Sequence, residues 1–150
     1  MTIEDEAERK RPFESSPFLA MLGAELVARG DGFATLALDI SEMHLRTRGI
    51  AHGGVIATLL DTAMGVAVST QTPEGCFAVT CQLNVHFTRP GWNGERLLIS
   101  AEVSHSGTTT SVARADMTTA EGVRVAMSTG TFSFVRLPNS GGDMLERKPD

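Results

Sequence analysis

Residues 53–69 read GGVIATLLDTAMGVAVS, and their apolar positions recur at helical spacing. Turned at about 100° per residue, Val55, Ile56, Ala57, Leu59, Leu60, Ala63, Met64, Val66, Ala67 and Val68 fall on one arc of about 220°. A stripe that wide implies burial on more than one side. The remaining arc holds Gly54, Thr58, Asp61, Thr62, Gly65 and Ser69, all small or polar, so another backbone or a ligand can approach it closely. The spacing predicts one long helix from Gly54 to about Ser69.

Outward from this helix the periodicity changes to two. Phe77, Val79, Cys81, Leu83, Val85 and Phe87 alternate with Ala78, Thr80, Gln82, Asn84, His86 and Thr88, the pattern of a strand with one buried face. Strict alternation places Thr80 on the side away from the helix. Weaker alternation marks Phe33–Ile40, Glu95–Val103, Thr109–Met117 and Val123–Val135. Turn signals at Gly30-Asp31-Gly32, Asn93-Gly94 and Glu121-Gly122 separate these segments, which predicts antiparallel hairpins or a meander. In the last segment the apolar phase shifts between Met127 and Phe132, and Gly130 at the change is the expected position of a bulge. A short helix near Ser16–Leu22 and a strand near Glu25–Ala28 complete the N-terminal side. One central helix wrapped by five or six antiparallel strands is an α+β arrangement.

The 150 residues, 41% hydrophobic and 21% charged, suit one folded domain of ordinary composition. Thirteen basic against eighteen acidic residues leave a net charge of −5, which lacks the field needed to hold a nucleic-acid backbone. Charge concentrates at the ends, so residues 1–17 and 137–150 are expected to be solvated tails around a domain at 18–136. No apolar secretory segment follows the charged start, and a cytoplasmic location is expected. Asp61 and Thr62 interrupt the apolar stretch Gly53–Val68, which is too short to span a membrane. Cys76 and Cys81 match neither a disulfide framework nor a metal motif and are expected to be buried small hydrophobes. His44, His52, His86 and His105 lack metal-ligand spacing, so no metal is expected.

The chemistry is concentrated in Arg46-Thr-Arg-Gly-Ile-Ala-His52-Gly53-Gly54 and Asp61. Two glycines at a helix start leave free N–H groups at the positive end of the dipole, with no side chain in the way. That arrangement suits a carbonyl oxygen gaining negative charge. His52 is expected to brace the glycine turn, with a catalytic part as the alternative. Asp61 is a poor helix former in an apolar run and costs solvation if buried. A partly desolvated carboxylate is the usual group for activating water or attacking an acyl carbon.

The run RGIAHGGVIATLLDTAMG, with HGG followed by Asp seven residues after the second glycine, resembles the hotdog-fold acyl-CoA thioesterases of the phenylacetate-degradation type. The resemblance extends over residues 18–136. It implies a helix wrapped by a curled antiparallel sheet, a homodimer or dimer of dimers, and hydrolysis of an acyl-CoA with no separate cofactor, CoA being part of the substrate. It also implies roles for Asp61 as base or nucleophile, Gly53 as backbone donor to the thioester carbonyl and Thr80 as a site hydroxyl. Arg46 stands where such proteins commonly carry Asn. Its guanidinium stays protonated, so it is expected to tune the site without transferring a proton. The CoA portion is expected to meet Asn84, Arg89 and Ser106-Gly107-Thr108. Lysines occur only at 10 and 148, which leaves Arg96, Arg114 and Arg136 as the other cations for its phosphates.

A hydratase or dehydratase using His52 and Asp61 as acid and base, and a non-catalytic acyl-CoA binder, are the alternative functions. A GxSxG serine hydrolase is excluded because no such elbow occurs. Gly53 and Asp61 lie eight residues apart, about 12 Å along one helix. One copy can hardly place both against the same carbonyl, so the active unit is expected to be at least a dimer.

Overall fold

The computed structural model describes residue 13 and residues 16–136. Helix α1 (Pro17–Leu22) leads into strands β1 (Glu25–Gly30) and β2 (Phe33–Asp39), followed by two short 3-10 turns at Glu42–His44 and Thr47–Gly49. The long helix α2 (Gly53–Ser69) precedes β3 (Cys76–Phe87), β4 (Arg96–Ser106), β5 (Thr110–Thr119) and β6 (Arg124–Arg136). The six strands form one antiparallel sheet in the order β1-β2-β4-β5-β6-β3. This is the α+β arrangement expected from the periodicities, one long helix and a short one, with six strands where five or six were expected. The sheet is not closed, and β1 and β3 are its two edges.

Helix α2 lies across the sheet and touches all six strands. Ile56, Leu59, Leu60, Ala63, Met64, Ala67 and Val68 are buried, a repeat of three and four that keeps one face on the sheet. Full burial of a side chain such as Leu59, Leu60 or Met64 contributes about 1.5–3 kcal/mol relative to exposure. Val55, Ala57 and Val66, on the flanks of the predicted stripe, are only half-buried, so within one chain the helix is covered on one side. No helix among the described residues is long and apolar enough to cross a membrane.

Three expectations need correction. Strand β3 does not keep one apolar phase. Thr80 pairs with Phe132 and Gln82 with the adjacent Thr131, so Cys81 is an extra residue in a bulge. A bulge reverses the side on which later residues point. Ala78 packs on the core before it and Leu83 and Val85 after it, whereas Phe77 and Val79 are exposed. In β6, Gly130 pairs regularly with Ala113 and with Leu83. The bulge lies instead at Val125, between the Met117–Ala126 and Thr118–Arg124 pairs, and both Val125 and Ala126 are buried. Gly130 has a packing role: a Cβ there would lie 3.1 Å from the Met64 Cε and from the Phe132 ring. Finally, neither cysteine is buried, since Cys76 is intermediate and Cys81, on the bulge, is exposed.

The N-terminal tail expected over residues 1–17 lies mostly outside the described residues, as does all of the tail expected over 137–150. Phe13, within the former, is buried in the core, where removing its ring from water contributes about 1.5–3 kcal/mol. Ser16 caps α1 through Leu19 N–H and Pro17 occupies its first turn.

Candidate active site

The residues around the helix start are held by a short ladder. His52 N–H donates to His44 O at 2.8 Å, Leu45 bridges Ala51, and Arg46 N–H donates to Ile50 O at 2.8 Å. His44 anchors the ladder from within: it is buried, its Nδ1 accepts the Ser41 N–H at 3.0 Å, and its Nε2 lies 2.7 Å from Leu22 O. Because Leu22 O can only accept, the proton resides on Nε2.

The segment from Arg89 to Glu95 straps this ladder down. Ala51 N–H donates to Gly91 O at 2.8 Å, Ile50 bridges Trp92, and Asn93 N–H donates to Gly49 O at 3.0 Å. The strap is itself closed by a two-pronged ion pair, Arg89 to Glu95 at 2.7 and 3.1 Å, and Glu95 also accepts the Trp92 N–H at 2.8 Å. Hydrogen bonding to Arg89 holds the Glu95 carboxyl below its usual range, and the same bond raises Arg89. Glu95 and Trp92 were not singled out in the sequence. The Pro90-Gly91 turn between Arg89 and Glu95 is the signal that brings the pair together.

At the start of α2 the two glycine donors have different fates. His52 Nδ1 accepts the Gly54 N–H at 2.8 Å, the bracing part expected for this histidine. The Gly53 N–H has no acceptor among the described residues. A Cβ on Gly53 would lie 3.5 Å from the ring of Phe87, itself exposed at the end of β3. Two turns further along, Asp61 Oδ1 accepts the Thr80 hydroxyl at 2.9 Å. The Thr58 and Thr62 hydroxyls of the same helix face bond back to Gly54 O and Thr58 O, so Thr80 is the only described hydroxyl on this carboxylate. Thr80 therefore points toward the helix, because the bulge at Cys81 resets the alternation.

The other expected site residues are dispersed. Arg46 is exposed, with no side-chain partner among the described residues. Asn84 is exposed between the inward Leu83 and Val85. Ser106, Gly107 and Thr108 form the β4–β5 turn, where the Gly107 N–H is already donated to Thr110 O at 2.8 Å. Arg89 is engaged by Glu95, Arg96 by Glu25 and Asp39, and Arg114 by Glu102. No hydrogen bond joins any of them to Asp61 or Gly53.

A free amide donor at a helix start and a carboxylate oriented by a strand hydroxyl are groups that acyl-transfer chemistry can use. A family profile described as the thioesterase superfamily matches residues 48–126, more than half of the chain, and spans both features. The chain belongs to this family. Among similar proteins, the acyl-coenzyme A thioesterase PaaI of Escherichia coli is 31% identical over 67% of this thioesterase and 69% of its own length. The medium/long-chain acyl-CoA thioesterase YigI of E. coli is 32% identical over 77% and 84%. The solved structure of the E. coli PaaI protein superposes with a TM-score of 0.77 at 28% identity, covering 85% of this chain and 88% of that one. A hypothetical thioesterase from Streptococcus pneumoniae, solved with coenzyme A, gives the same TM-score and identity over 85% and 97%. The thioesterase thus has a PaaI-like hotdog fold and is a thioester hydrolase.

Proposed function

We propose that this thioesterase hydrolyses a medium-chain or aromatic acyl-CoA to the free acid and CoA. The observation that carries the reading is the 2.9 Å hydrogen bond from Thr80 to Asp61, which fixes a half-buried carboxylate in one orientation while leaving its second oxygen available. In that position Asp61 either removes a proton from the attacking water or attacks the thioester carbon itself. In both routes a C–O bond forms, the C–S bond breaks and the electron pair leaves on the CoA sulfur, which ends protonated; in the second route water then cleaves the acyl–Asp61 anhydride, which releases the acid and regenerates the carboxylate. The names of PaaI and YigI, and the CoA in the streptococcal structure, support CoA as the thiol.

The carbonyl donor is assigned to the Gly53 N–H of a second copy. His52 already occupies the Gly54 N–H, so Gly53 supplies the donor, and within one helix it lies about 12 Å from Asp61. A donor must approach the carbonyl oxygen to about 3 Å, which antiparallel helices of two protomers can achieve. The open edge of β3, with Phe77 and Val79 exposed on it, is consistent with such a dimer. The test begins with thiol release from a panel of acyl-CoAs by wild type and Asp61→Asn. Folded Asp61→Asn should lose turnover, and wild-type kcat in that variant would refute the role of Asp61. Mixing Asp61→Ala with Gly53→Pro under subunit exchange should restore activity, because one site in each mixed dimer is intact. Verified mixed dimers without activity would refute the shared site.

A further inference from the structure

The inward side of β3 runs on past the core. Beyond the bulge at Cys81, Leu83, Val85 and Phe87 share one side of the strand. Leu83 and Val85 pack on the core, whereas Phe87, the last residue of the strand, is 57% exposed. Its backbone is fixed. Phe87 pairs with Ala126, and the Thr88 and Arg89 N–H groups both donate to Val125 O, at 3.0 and 3.2 Å. A lone exposed ring needs no explanation, but the neighbour of this one gives it a use.

That neighbour is Gly53, whose N–H is the free donor of the helix start. A Cβ placed on Gly53 would meet two atoms of the Phe87 ring, Cε1 and Cζ, at 3.5 Å each, and outside the glycine's own neighbours and helix backbone it would meet nothing else within 4 Å among the described residues. Such a separation is ordinary van der Waals contact. The ring therefore stands one carbon layer away from the Gly53 backbone, and the two enclose a thin slot beside the free N–H.

A carbonyl oxygen held about 3 Å from the Gly53 nitrogen brings the thioester carbon and the two atoms bonded to it beside this slot. The thioester group is flat, with its carbon, oxygen, sulfur and α-carbon in one plane. An α-methylene can turn the rest of the acyl chain away and show a wall only hydrogens. A quaternary α-carbon holds a carbon on both faces of the plane in every rotation. On the sulfur side every acyl-CoA carries the same methylene, so a wall at this place sorts substrates by the acyl α-carbon.

We propose that Phe87 is a specificity-determining residue that, with Gly53, admits acyl groups with an α-methylene and rejects those branched at the α-carbon. The proposal rests on the acyl-CoA reading above, with Gly53 as the donor. Straight-chain and arylacetyl groups both have that methylene. The test compares octanoyl-CoA with 2,2-dimethyloctanoyl-CoA, read as the ratio of their kcat/KM values, so that the intrinsic difference in reactivity cancels between variants. Phe87→Ala should lower the wild-type preference for octanoyl-CoA about tenfold, the scale on which an apolar pocket senses one methylene. Phe87→Leu should fall between, and it decides the matter if the alanine variant does not fold. Gly53→Ala keeps the N–H but fills the slot, so it should lose octanoyl-CoA turnover about tenfold, and adding Phe87→Ala should restore part of it. An unchanged ratio would overturn the proposal, as would an equal loss on both thioesters, which would assign the ring to the contact between copies. A Gly53→Ala protein at the wild-type rate, or a loss that Phe87→Ala does not relieve, would also overturn it. Calorimetric titration of Asp61→Asn gives a readout independent of turnover: octanoyl-CoA should bind about tenfold more tightly than its dimethyl analogue, and the difference should vanish with Phe87→Ala. If wild type cleaves neither thioester, the hydrolytic reading fails and the titration still decides the slot. Selectivity lost with the ring supports it, and binding without selectivity, or no binding, overturns it.

Discussion

Replacing Thr80 by valine removes one hydroxyl and preserves the shape, the β-branching and the strand preference of the residue. Its effect on stability should be small because Thr80 is exposed on an edge strand. Its effect on catalysis should not be. The hydroxyl is the only one on Asp61 among the described residues, and hydrogen bonds to charged groups contribute about 1.5–3 kcal/mol. Solvent access puts this one at the lower end, about 1.5 kcal/mol, which corresponds to roughly a tenfold loss in kcat. The loss should appear in steady-state thiol release with an unchanged melting temperature. Because Thr80 acts through Asp61, the same change made in Asp61→Asn should cost nothing further in single-turnover measurements. Thr80→Val with wild-type kcat would refute the orienting role. A further tenfold loss in the Asp61→Asn background would show that Thr80 acts on something other than the carboxylate.

Two further predictions concern the scaffold. Gly130→Ala places a Cβ 3.1 Å from Met64 Cε and the Phe132 ring and 3.4 Å from Gln82 O, an overpacking that should cost about 1–3 kcal/mol in denaturant midpoint; an unchanged midpoint would mean that the core yields there freely. Glu95, whose carboxyl lies below its ordinary value of 4.5 through its bond to Arg89, contributes stability that is present above the unfolded value and lost as pH falls through the folded one. Wild type should therefore be more stable than Glu95→Gln at neutral pH, and the difference should shrink as pH drops below about 4.5; a difference independent of pH in that range would show that the ion pair is not its source.

The central helix was legible because its seven buried residues keep a spacing of three and four that no other arrangement explains. The strands were legible as segments, with ends within a few residues of those observed. What the alternation concealed was the side to which residues point. Phe77, Val79 and Cys81 continue the apolar phase of Leu83 and Val85 without a break, so nothing in the residue types marks the extra residue at Cys81. That one residue decides whether Thr80 meets Asp61. Likewise Gly130 was read as a bulge because it sits where the apolar phase shifts between Met127 and Phe132, whereas its lack of a side chain serves close contact with Met64. The ion pairs of the arginines were hidden for a different reason: Glu25, Asp39 and Glu102 are remote in sequence from Arg96 or Arg114, and only strand pairing brings them together.

The position of β3 has a consequence for how the molecule is assembled. It is third among the described strands in the chain but last in the sheet, where β6 is its only strand neighbour among the described residues, and residues 88–123 lie between the two. A nascent chain that has emerged only as far as β5 can form α2 and the β2-β4-β5 layer against it, yet it offers β3 no ladder to join. Contacts that close so long a stretch of chain form late. The meeting of Thr80 with Asp61 therefore waits for β6 rather than for the folding of the helix that carries the carboxylate.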